Sequence, residues 1–79
     1  MHIAMTPELL RHAGEALYGK YWQASLSEEI GVNVRSIRRW LSGEMEIPFG
    51  VTRDISEILA KKQRTIELVL RNIEIQVVG

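Results

Sequence analysis

The stretch "SLSEEIGVNVRSIRRWLSGE", residues 25–44, decides how this chain is read. Arg35, Arg38 and Arg39 crowd into five residues, and residues 33–43 contain no acid. Yet ten basic and ten acidic side chains leave the 79-residue chain without net charge. On a helical wheel of about 100° per residue, Ile37, Trp40 and Leu41 share one arc. Arg35, Arg38, Arg39 and Ser42 share the other. The arginines therefore project outward while isoleucine and tryptophan anchor the helix. Three cations on one face gain nothing from i,i+4 pairing, and Arg35 and Arg39 repel. That arrangement is mildly unfavourable for folding alone and makes sense if an anion approaches. A simply solvated helix face is the plain alternative.

The residues in front of this helix weigh against the plain alternative. Trp22, Leu26 and Ile30 fall at i, i+4 and i+8, which predicts a short helix ending near Ile30. Gly31 follows, where a left-handed backbone is least costly without a Cβ. Asn33 is a good amino-terminal cap for a helix over about 34–42, and Gly43 ends it. A short helix, a glycine turn and a second short helix form a helix-turn-helix, the unit that presents its second helix to the DNA major groove. Its packing needs a small residue where the helices approach, supplied by Ser27. It also needs apolar residues around the turn and inside both helices, supplied by Leu26, Ile30, Val32, Ile37 and Trp40.

Residues 23–48, "QASLSEEIGVNVRSIRRWLSGEMEIP", resemble the helix-turn-helix of the lambda-repressor-like (Cro/XRE) family. The resemblance rests on Gln23, the Leu26-Ser27 pair, Gly31, Ile37, Trp40, Ser42-Gly43 and Pro48. Ser27 stands where alanine is commoner, and Glu44 and Glu46 stand where many relatives carry cations near the phosphates. The resemblance implies double-stranded DNA as partner, with Asn33, Val34, Arg35, Arg38, Arg39 and Ser42 turned towards it. Arg35 is the first candidate for base readout, because arginine offers two parallel donors to guanine O6 and N7. Arg39 is second, Val34 suits a thymine methyl, and Arg38 suits a phosphate. Gln23 resembles the family residue that clamps the DNA backbone. Lys20 and Tyr21 are further candidates, although Tyr21 reads better as a packed surface aromatic. Trp22 and Trp40 read as core.

Outward from this unit, Thr6-Pro7-Glu8 is a helix start: a capping hydroxyl, proline at the first helical position and an acid in the first turn. Leu9, Leu10, Ala13, Ala16 and Leu17 then recur at helical spacing, and Gly19 stops a first helix over about 7–18. Pro48 opens a further helical segment. Val51, Ile55, Ile58, Leu59, Ile66, Val69, Leu70 and Ile73 form a stripe, read as one long helix or as two broken around 61–64. The final "IEIQVV" alternates apolar and polar residues, which suits a strand better than a helix. The fold class expected is all-α: a small bundle of four to five helices with a helix-turn-helix at about 22–42. Residues 51–79 form a helical extension, ending in a short strand or helix used in dimerisation. All 79 residues belong to one domain.

Composition excludes several classes. Without cysteine there is no disulfide framework and no thiolate metal site. His2 and His12 have no acid at a metal-binding spacing, so no metal or cofactor is expected. Serines lack a nucleophile elbow and no glycine-rich phosphate loop exists, so the chain reads as no enzyme. No aromatic platform for stacked RNA bases stands out. No membrane-spanning run or leader is found, and the expected location is the cytoplasm. The apolar residues of 66–78 exceed the need of a three-helix core. Either they fold back on the first three helices or they pair with a second copy, a homodimer being expected; the other reading is an interaction or antitoxin-like module whose apolar carboxy-terminal segment binds a partner protein.

Overall fold

A computed structural model describes residues 5–78; His2 lies outside them. The described chain is all-α, with α1 at Pro7–Tyr18, a 3-10 turn at Gly19–Tyr21, α2 at Trp22–Ile30, α3 at Val34–Leu41 and α4 at Phe49–Val78. The starts of α1 and α3 carry their chemical reason. Thr6 has extended backbone, and its hydroxyl accepts the Leu9 N–H at 3.1 Å, with Pro7 in the first turn. Asn33 caps α3 in the same way, its Oδ1 accepting the Arg35 N–H at 2.8 Å. Gly31 closes α2 with φ 70° and ψ 35°, a left-handed backbone, so that the Ser27 carbonyl accepts the N–H of both Gly31 and Val32.

The core is built from all four helices and the α3–α4 connector: Leu10, Ala13, Trp22, Leu26, Ile37, Trp40, Ile47 and Ile55 form one buried cluster. α1 lies at its centre, in contact with α2, α3 and α4, and α2 touches α3 and α4. Burying Leu10, Leu26, Ile37 and Ile55 completely stabilises the fold by about 1.5–3 kcal/mol each. Gly14 is buried under Trp22, and a Cβ there would overlap the indole ring. This glycine is a packing requirement rather than a turn. Leu9 and Ala16, which share the helical spacing of α1, are exposed instead. The Trp40 indole Nε1 is buried without an acceptor among the described residues.

Residues 49–78 form one helix without a break at 61–64. The alternating "IEIQVV" is helical through Val78, against the strand expectation, and no strand occurs among the described residues. The reason is that Ile66, Val69, Leu70, Ile73 and Val77 also satisfy the i, i+3, i+4, i+7 period, and a strand needs a neighbour to pair with. A 30-residue helix is about 45 Å long. It sets the longest dimension of 53 Å, and the radius of gyration of 15.2 Å exceeds the ~12 Å of a compact domain of this length. Only its first three turns rest on the body; from residue 60 onward every described residue is exposed.

Candidate nucleic-acid interface

α3 has eight residues and two unlike sides. Ile37 is fully buried and Trp40 nearly so, fixing the helix about its axis. Arg35, Arg38 and Arg39 are all exposed on the opposite side. No arginine is buried, and one has an intramolecular acid nearby: Arg39 Nε lies 3.8 Å from Glu44 Oε2, both side chains being largely open to water. The sequence reading left the arginines without acid neighbours, and for Arg39 that is corrected. The chain reverses at Gly43, with φ 81°, and brings Glu44 back beside the last turn. An exposed pair at that distance is worth little and is readily displaced by a phosphate.

Gln23, Asn33, Val34, Arg35 and Arg38 line one open groove of about 610 Å³, together with Lys20, Tyr21 and Ala24. The 3-10 turn and the first turn of α2 form one wall, and the capped start of α3 forms the other. The lining holds three cations and no carboxylate. Tyr21 is 78% exposed, so it is not the packed surface aromatic that its sequence context allowed. The Lys20 ammonium stands 5.7 Å from its ring centroid. Sequence reasoning missed Ala24. Its signal was weak, a small residue one place after Gln23, and only the angle of α2 against α3 turns it into the groove.

Arg39 and Ser42 lie outside this groove, further along α3. The Ser42 hydroxyl donates to the Arg39 carbonyl at 3.1 Å and accepts the Glu44 N–H at 3.3 Å. Its geometry is that of a helix terminator. Asn33 also uses its side-chain oxygen for capping, which leaves its amide NH₂ for a ligand.

A second concavity, of about 640 Å³, lies at the elbow where α4 leaves the body. Its charged lining is mixed, with Glu29, Asp54 and Glu57 beside Lys61 and Lys62. There the Tyr18 hydroxyl donates to Glu29 Oε1 at 3.3 Å. The phenol is pushed above its usual 10.0, first by burial and then by the charge and hydrogen bond of Glu29. No cluster of three or more His, Asp or Glu able to hold a metal occurs among the described residues. No described helix is long and apolar enough to cross a membrane. Comparison with known proteins matches no family model, no curated protein and no solved structure.

Proposed function

We propose that this chain is a lambda-repressor-like helix-turn-helix regulator that binds duplex DNA by laying α3 in the major groove. The observation that carries the reading is the concentration of Lys20, Arg35 and Arg38 in one open groove free of acids, on a chain whose total charge is zero. Arg35, at the start of α3, reads a guanine edge, and recognition helices contact bases with their amino-terminal residues. Arg39 adds a second base contact once Glu44 is displaced. Val34 meets a thymine methyl, while Arg38, Lys20 and Gln23 hold phosphates and fix the register. In a homodimer two such helices reach two major-groove half-sites separated by one or more whole DNA turns. The reading requires neither cofactor nor catalysis.

Selection of random duplexes by the purified protein at moderate salt tests this reading, with an Arg35→Ala/Arg39→Ala variant alongside. A defined motif enriched by the native chain and lost by the variant is expected. Affinity should fall steeply with salt as phosphate contacts release counterions. No enrichment would remove the reading.

A second reading is a protein-interaction or antitoxin-like module of the same fold. The exposed apolar carboxy-terminal half of α4 favours it. Under it, the arginine substitutions leave partner binding unchanged.

A further inference from the structure

α4 carries one apolar stripe along its whole length but covers only half of it. Val51, Ile55 and Leu59 belong to the core or pack on it. At spacings of four, four, seven, four, three and four, the same face continues through Ile66, Leu70, Ile73 and Val77, with Val69 at its border. These five side chains are 52–79% exposed. The arm over residues 62–78 contains seven β-branched residues, Thr65, Ile66, Val69, Ile73, Ile75, Val77 and Val78. Such residues lower helix propensity, and helices of this length draw most of their stability from burying a face. Arg64, Glu67, Arg71 and Glu74 alternate in sign on the opposite side, among the exposed Leu68, Ile75 and Val78, and are spaced for i,i+3 and i,i+4 attraction within the arm.

We propose that the stripe is covered by the arm of a second copy, running antiparallel. Packed helices sit about 8–10 Å apart. The body stands on the stripe side of its own α4 and measures tens of ångströms across, within overall extents of 53 × 31 × 20 Å. In a parallel pair both bodies would occupy the same narrow gap and collide. In an antiparallel pair they lie at opposite ends, and each arm continues the layer that the partner's body begins. A register with Ile66 opposite Val77 of the partner subunit and Leu70 opposite Ile73 of the partner subunit keeps every layer apolar. It brings the last described turn opposite Thr65, at the outer end of the elbow groove.

The area is sufficient. A Val, Leu or Ile side chain buries about 60–120 Å². Ten of them, each more than half open, withdraw about 350–700 Å², and the stems of the flanking side chains bring the total towards the ~1,000 Å² lower bound for a specific interface. Zero net charge adds no bulk repulsion between copies. The inference does not rest on DNA binding, and its test contains no DNA.

Sedimentation of the full chain at tens of micromolar should give twice the 9.0 kDa chain mass. Leu70→Glu/Ile73→Glu should give the single mass and still fold, because neither residue touches the core, with a thermal transition that no longer depends on protein concentration. Direction is read by disulfide trapping, free of background because the chain has no cysteine. Chains carrying Ile66→Cys should cross-link to chains carrying Val77→Cys, and neither variant should cross-link to itself. A monomer at all concentrations would overturn the proposal, as would a dimer surviving the double glutamate substitution. Self-linking of both single-cysteine variants would also overturn it, since that is the pattern of a parallel pair.

Discussion

The two concavities of this small molecule are nearly equal in size, about 610 Å³ beside α3 and about 640 Å³ at the α4 elbow. They differ in charge. The first holds Lys20, Arg35 and Arg38 without a carboxylate; the second sets three acids against two lysines. Volume therefore does not distinguish the two grooves, whereas uncompensated charge does. A phosphate entering the first groove meets only cations and releases counterions as it binds. At the elbow Glu29, Asp54 and Glu57 would repel it, and it would gain little.

Both grooves hang on one framework, so the largest effects come from breaking that. Ile37→Ala removes a fully buried side chain behind the arginine face and should cost about 2–5 kcal/mol in denaturant unfolding. A loss under about 1 kcal/mol would mean that the inner side of α3 does not hold the outer one. Gly14→Ala forces a methyl into the Trp22 ring, at the base of α2, and should cost about 1–3 kcal/mol; an unchanged melting temperature would contradict that packing.

The grooves themselves separate at the next level. Arg35→Ala should leave the melting transition in place and reduce discrimination between duplexes by about 1–3 kcal/mol. Glu57→Gln, at the elbow, should leave DNA binding unaltered. Equal effects on DNA from both sites would erase the distinction drawn here. Gly31→Val is of similar size but acts on folding: the space around Gly31 is open, yet its φ of 70° penalises any Cβ, by about 1–2 kcal/mol.

The smallest effect belongs to the elbow. Glu29→Ala removes two of the three causes that raise Tyr18, so the phenol should titrate nearer 10.0 in an ultraviolet pH titration. The sign follows from linkage: a raised folded value favours the neutral phenol. Its contribution to stability is complete below the ordinary tyrosine value and is lost as pH climbs through the raised one. An unmoved titration would show burial alone to be the cause.

How much of this was legible in the sequence depends on the range of the interaction. Thr6, Gly31 and Asn33 act within four residues of themselves, and the start of α1, the stop of α2 and the start of α3 could be read from them. The wheel of α3 separated Ile37 and Trp40 from the arginines for the same local reason. The meeting of Gly14 with Trp22 is a tertiary approach, and glycine inside a helix gives no sign of what lies over it. Residues 73–78 fit periods of both two and 3.6, so alternation alone misled. The Arg39–Glu44 contact depends on the reversal at Gly43, and the placement of Lys20 and Tyr21 on a 3-10 turn that no capping residue announces. Each needed the backbone path to be seen.

The central claim is that the outer side of α3, with the turn before α2, is the surface that meets DNA. Backbone amide shifts of the isotope-labelled chain, followed as a mixed-sequence duplex is added at low salt, test it most directly. The account predicts that the shifts concentrate in residues 20–24 and 33–42, and that they reverse when salt is raised. Shifts confined to α4 and the elbow, or none at all, would contradict it.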